Sequence, residues 1–211
     1  MNQSRDWRKV RAEVKDFVEN EVYPAESILN ERSEESNQKL KELMDKAKER
    51  NLWALGHPED IGGQGMPFME YVYVNEVVGR SSPAIVALGT HSLQDSIMLR
   101  EFASDRWRDA YLGPLVAGEI FPSFGMTEPD TASSDPTQLQ TAAVLEDGEW
   151  VINGRKWFTS GAARATYTTV MVRTEPDTPG HGAFSMIIVP TDISGYNAQM
   201  SKDEANLGDA E

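Results

Sequence analysis

The stretch that decides the fold is Thr141–Ser160, TAAVLEDGEWVINGRKWFTS. Its apolar residues recur every second position, and Asp147-Gly148 and Asn153-Gly154 are both strong hairpin signals. A period of two with β-branched and aromatic residues reads as β-structure. Downstream, Thr166–Arg173 (TYTTVMVR) and Ala183–Pro190 (AFSMIIVP) continue that pattern. Upstream, Phe121–Gly125 is strand-like until it breaks into Thr-Glu-Pro-Asp and a cluster of small hydroxyls.

Before Gly118 the period is helical. Trp7, Val10, Val14, Phe17, Val18 and Val22 step mostly by three and four, giving an amphipathic helix that ends near Pro24. Leu40, Leu43, Met44 and Ala47 repeat the pattern. Between Phe68 and Val78 the apolar residues sit nearly all round, which predicts a helix buried within a bundle. SSPAIVALG (81–89) predicts a further helix with Ser82 as N-cap and Pro83 at the first helical position. Ser104 predicts the cap of a last helix, which carries Trp107, Tyr111, Leu112 and Leu115 until Gly118 stops it. The expected fold class is α+β: an all-α helical bundle over residues 1–118, then a β-barrel-like or β-sandwich domain over 119–211. About four to six strands followed by the polar NAQMSKDEANLGDAE leave an unprotected edge. The β-domain is therefore expected to be incomplete.

Composition narrows the function. The 211 residues carry 34 acidic and 20 basic side chains, a net charge of -14. Such acidity argues against nucleic-acid binding and against an anionic membrane surface. The chain has no cysteine, which removes disulfides, thiolate metal sites and a cysteine nucleophile together. No apolar run approaches the ~18 residues of a membrane helix, and the N-terminus lacks a secretory h-region. A cytoplasmic location without membrane insertion is expected.

His57, His91 and His181 are scattered without metal-ligand spacing, so no metal site is expected. His91, in an apolar helical stretch, reads as a packed or hydrogen-bonded histidine. Gly62–Gly65 (GGQG) lacks a P-loop lysine and a dinucleotide spacing, and reads as a turn. In KWFTS (156–160) a strand places Trp157 and Thr159 on one face, about 7 Å apart, and Lys156 and Phe158 on the other. A flat aromatic and a hydroxyl on one face suit a planar ring with a heteroatom on its edge. The plainer reading is a β-domain core with a buried Trp. Phe124 and Met126 likewise share a face.

Several separated segments resemble one family. FGMTEPDTASSD (124–135) looks like the Thr-Glu-Pro signature of acyl-CoA dehydrogenases, and VINGRKWFTSGA (151–162) looks like its partner strand. LWALGHPEDIGGQGM (52–66), VNEVVGRSSPAIV (74–86) and LGPLVAGEIFPSFGMTEP (112–129) follow the same family in order. The form Thr-Glu-Pro-Asp-x-Ala-Ser-Ser-Asp is nearer to the acyl-CoA dehydrogenase 10/11-like branch, one residue longer than the commoner signature.

The resemblance implies an FAD enzyme that removes two hydrogens from the α and β carbons of an acyl-CoA thioester. It implies that Phe124, Gly125, Met126, Thr127, Glu128, Pro129, Ser133 and Ser134 line the flavin and its phosphates, with Ser134 also reaching the acyl-CoA. It also implies that Trp157, Phe158 and Thr159 form the second flavin-contacting strand, with Trp157 against the isoalloxazine and the Thr159 hydroxyl donating to N5. Glu128 is expected to be structural. No catalytic residue is expected in this chain: the family's general base belongs to a C-terminal helical domain expected beyond Glu211. Electron-transfer flavoprotein as electron acceptor and a homodimeric or homotetrameric assembly are also implied. An acyl-CoA oxidase, a flavin monooxygenase on the same fold, and a non-catalytic acyl-CoA- or flavin-binding module are the alternatives.

Overall fold

Asp6 opens the first helix by accepting the backbone N–H of Arg8 at 3.0 Å, which satisfies one of the donors a helix start leaves free. The computed structural model describes residues 6–31 and 33–198. Contacts divide the chain into two compact units, Met1–Glu119 and Ile120–Glu211.

The described part of the first unit is all helical. Helix α1 (Trp7–Phe17) buries Val10, Val14 and Phe17. It runs on through a π-helical turn, Val18–Val22, and a 3-10 turn holding Pro24, where the predicted break falls. Helices α2 (Glu26–Asn30) and α3 (Glu34–Glu49) follow, and Leu40, Leu43, Met44 and Ala47 of α3 are buried as their spacing predicts. Helices α4 (Phe68–Val78), α5 (Ser82–Ala87), α6 (Leu93–Phe102) and α7 (Asp105–Ala117) complete the unit.

Two helical expectations need correction. Helix α4 buries only Tyr71, Val74, Val77 and Val78, while Phe68 is 74% exposed and Met69, Val72 and Tyr73 are exposed beside it. Apolar character all round a helix states what it can bury; α1 and α5 cover a single side. The start of α5 lies one residue earlier than predicted, with Ser81 at the N-cap position and Pro83 second in the helix. The Ser81 hydroxyl caps nothing because it donates to the Glu26 carboxylate at 2.5 Å.

Trp53 locks the loop after α3 onto the end of α7. Its indole N–H donates to the Val116 carbonyl at 2.8 Å, and the Lys48 ammonium lies 4.7 Å from its ring centroid. Gly118, at φ +74°, closes α7 against the same indole, where an added Cβ would come within 2.7 Å of the ring. The GGQG turn is tight for a similar reason: a Cβ at Gly63 would meet the His57 carbonyl oxygen at 2.2 Å.

The second unit forms one mixed sheet of five strands among the described residues. They are β1 (Pro122–Gly125), β2 (Ala142–Glu146), β3 (Glu149–Asn153), β4 (Tyr167–Arg173) and β5 (Phe184–Pro190). Strand β4 is central, with β5 antiparallel along one edge. Along its other edge β1 runs parallel to it, and β2 joins by the Ala142–Arg173 pair. Asp147 (φ +49°) and Gly148 (φ +86°) turn β2 into β3, the double left-handed geometry that the Asp-Gly signal predicts. Ala143, Val170, Val172 and Val189 form the small core. The fold class is α+β in the expected order. Residues 199–211 of the predicted polar end lie outside the described residues.

Two variants test this packing. Gly118→Ala meets both the positive φ and the Trp53 ring, and is expected to cost about 2–3 kcal/mol in chemical denaturation. Asp95 on α6 is only 9% exposed, its Oδ1 has no hydrogen-bond partner, and burial pushes its pKa up to about 6. Its native pKa lies above the unfolded value, so the native state is penalised increasingly as pH rises from about 4 to about 6. Asp95→Asn is therefore expected to stabilise the protein by about 1–2 kcal/mol near pH 7.5, and not near pH 4.

Candidate functional site

Strand β1 sets the first half of the site. Ser123 and Gly125 are buried against β4, and the Ser123 and Thr168 hydroxyls lie 2.7 Å apart. Phe124 and, just past the strand, Met126 are half-buried, in the alternation the sequence predicts. The strand then breaks at Thr127-Glu128-Pro129.

Glu128 anchors this break. Its side chain is 5% exposed. One carboxylate oxygen accepts the Gln140 N–H at 2.7 Å; the other accepts the Thr141 N–H at 2.8 Å and the Lys156 ammonium at 2.9 Å. Burial alone would push its pKa up, but these donors hold it down at about 2. The same burial draws the Lys156 pKa down, opposed by Glu128. Glu128 is thus held as a carboxylate at neutral pH and ties the break to Gln140, Thr141 and Lys156.

The serine pair splits into two roles. Ser133 Oγ accepts the Glu128 N–H at 2.8 Å and lies 3.0 Å from the Thr131 hydroxyl, closing the loop on itself. Ser134 is exposed.

The second half departs from its predicted form. Strand β3 ends at Asn153, and Gly154 to Thr159 form no strand, so neither the KWFTS alternation nor an Asn153-Gly154 hairpin exists. Gly154 lies flat on Thr141, where an added Cβ would be 2.4 Å from Oγ1. The chain then leaves the sheet, and the Trp157 N–H donates to the Thr127 carbonyl at 2.7 Å. Phe158 adopts φ +51°, which ends any strict two-face alternation. The Trp157 and Phe158 rings lie 5.3 Å apart, tilted by 53°, and are 41% and 61% exposed. The expectation of a buried core Trp is therefore not met. Thr159 Oγ1 is buried and has no hydrogen-bond partner.

Trp157 is thus tied directly to Thr127, and Phe158 and Thr159 follow it in the chain. A cavity of about 240 Å³ behind the break is lined by Glu128, Pro129, Asp130, Gln140, Thr141, Gly154 and Arg155; Trp157 and Thr159 lie outside its lining. The sequence reading missed Lys156, assigned merely to the opposite face. Its ammonium reaches the Met126 carbonyl at 3.0 Å as well as Glu128. A cation directly before the Trp157-Phe158 pair was the available signal, since a lysine buried there has to be paired.

Comparison with known proteins bears on the same segments. The family model for the acyl-CoA dehydrogenase N-terminal domain matches residues 4–119, and that for the middle domain matches residues 123–210. The chain belongs to the acyl-CoA dehydrogenase family. Mouse acyl-CoA dehydrogenase family member 10 is 33% identical over 202 residues, covering 89% of this chain and 19% of that protein. Mouse family member 11 is 31% identical over 210 residues, covering 92% and 26%. A solved probable acyl-CoA dehydrogenase from Mycobacterium abscessus superposes with a TM-score of 0.70 at 29% identity, covering 92% of this chain and 50% of that one. The chain therefore spans between about a fifth and a half of these relatives. Among the described residues, no helix is long and apolar enough to cross a membrane.

Glu128 gives the site a defined pH dependence. Its native pKa, about 2, lies below the unfolded value near 4.3. Its contribution to stability is present above that unfolded value and is lost as pH falls towards 2. Glu128→Gln is expected to lower the unfolding free energy by roughly 2 kcal/mol near neutral pH, with the gap to the parent narrowing between about pH 4.5 and 2. Urea titrations at a series of pH values check this.

Proposed function

We propose that the second unit supplies the flavin-facing wall of an FAD-dependent acyl-CoA dehydrogenase, which removes one hydrogen each from the α and β carbons of an acyl-CoA thioester. The observation that carries this reading is the Thr159 hydroxyl: buried, without a partner, and next to two exposed aromatic rings. An orphaned buried hydroxyl calls for an explanation, and a ring heteroatom of a bound cofactor is a fitting partner. Bound FAD supplies the acceptor for the hydride leaving the β carbon.

The chain's own residues have separable roles. Trp157 offers a flat apolar face against which a planar ring excludes water. Thr159 presents a hydroxyl donor at its edge, and Phe158 extends the apolar surface. Phe124, Gly125, Met126, Thr127, Glu128 and Pro129 form the adjoining wall, held in place by the bonds from Lys156, Trp157 and Ser133. Ser133 is occupied within its own loop, so its part is to shape the loop. Ser134 is the exposed hydroxyl left to reach phosphate or acyl-CoA. Glu128 is unsuited to take the α-proton: its oxygens are engaged by Lys156 and two amides, and a carboxylate held near pKa 2 is a poor base. The base accordingly belongs to residues outside this wall. Acyl-CoA as substrate, electron-transfer flavoprotein as acceptor and a homo-oligomeric state rest on family likeness.

Anaerobic visible spectroscopy of the purified chain with added FAD tests the proposal. A bound flavin that bleaches on adding an acyl-CoA is the expected result for a complete site, and an oxidised spectrum that does not change would remove catalysis from this chain. Protein that takes up no FAD at all would overturn the wall. Thr159→Ala is expected to weaken FAD binding about tenfold, the loss of one hydrogen bond. It should leave the unfolding midpoint of the FAD-free protein unlowered, because the hydroxyl there has no partner to lose.

A further inference from the structure

We infer that Lys156 is a positioning residue that fixes the Trp157–Thr159 segment against Met126–Glu128, so that the aromatic face and the Thr159 hydroxyl stand in one register. This rests on the flavin-facing reading above. Three bonds join consecutive residues on the two segments. The Lys156 ammonium donates to the Met126 carbonyl at 3.0 Å and to the Glu128 carboxylate at 2.9 Å, and the Trp157 N–H donates to the Thr127 carbonyl at 2.7 Å. Neither segment continues a strand at this point, so no sheet ladder holds them together.

The burial of the pair bears on its role. The Lys156 side chain is 10% exposed and that of Glu128 5%, although a lysine stem is long enough to carry its charge to water at most surface positions. A buried ion pair adds little net stability over apolar packing of the same volume, whereas its directional bonds admit one arrangement. Glu128 is not free to shift, because moving it would strand the N–H groups of Gln140 and Thr141. Gly125 leaves the space for the lysine stem: a Cβ there would lie 3.3 Å from Lys156 Cγ. Phe158 at φ +51° then redirects the chain, a conformation that costs about 1 kcal/mol and persists only when its flanks are held.

The test separates stability from positioning. Lys156→Met leaves Glu128 buried and unpaired, and is expected to lower the unfolding midpoint strongly. The double variant Glu128→Gln/Lys156→Met carries no unpaired charge and is expected to regain most of that loss. Its Trp157 amide is nevertheless expected to exchange with solvent at least about tenfold faster than in the parent, with the Val170 and Val172 amides as unchanged internal controls. Its FAD affinity is expected to fall by about tenfold or more. A double variant with parental Trp157 exchange and parental FAD affinity would overturn the inference and make the pair structural only. If the parent takes up no FAD, the flavin reading falls, and Trp157 exchange alone decides the positioning role: faster in the double variant supports it, unchanged overturns it. Should the double variant not fold, Glu128→Gln/Lys156→Gln decides in its place, since it carries no unpaired charge and its shorter side chain at 156 cannot hold both Met126 and residue 128. Faster Trp157 exchange is then expected, and parental exchange would overturn the inference.

Discussion

A carboxylate taken out of water must be met by donors, and at Glu128 the three donors come from two other places in the chain. Gln140 and Thr141 lie at the entry to β2, and Lys156 lies just past the end of β3. The Thr-Glu-Pro break, the start of the β2–β3 hairpin and the segment leaving that hairpin are therefore held at one point. Replacing Lys156 leaves the carboxylate without a counter-charge in a small unit whose apolar core contains few side chains. The candidate site depends on this knot, because Trp157 and Thr159 belong to a stretch that no strand supports.

The helical unit has a different kind of constraint. Trp53 fills the space between positive-φ glycines at 89 and 118, and its indole N–H ties it to the last turn of α7. Side-chain volume against bare backbone does there what paired charge does in the sheet unit. The exposed face of α4 remains the largest departure from an amphipathic ideal in this unit. Phe68, Met69, Val72 and Tyr73 form one apolar stripe, with Trp7 stacked on Tyr73 at 5.2 Å.

The legibility of the sequence followed the range of the interactions involved. Helix positions such as Val10, Val14 and Leu43 were readable because a 3.6-residue period is a local signal with one consequence, burial on one face. Asp147-Gly148 was readable because its backbone requirement is carried by those two residues alone. Asn153-Gly154 carried the same signal and misled, because Gly154 serves close approach to Thr141, a contact outside the dipeptide. KWFTS failed as a strand for a related reason: the Trp157 N–H is used by Thr127, thirty positions earlier in sequence, and Phe158 takes a left-handed conformation no pattern announces. The family resemblance brought Trp157, Thr159 and the Thr127 stretch to notice. It singled out Ser134 for acyl-CoA, but did not announce that Ser133 folds into its own loop.

Hydrogen-exchange footprinting of the purified chain with and without FAD follows both halves of the wall at once. FAD is expected to slow exchange in two stretches together, residues 124–128 and 156–160, while the amides of β5 are unaffected. Slowed exchange confined to other parts of the chain, or none at saturating FAD, would contradict the flavin-facing reading.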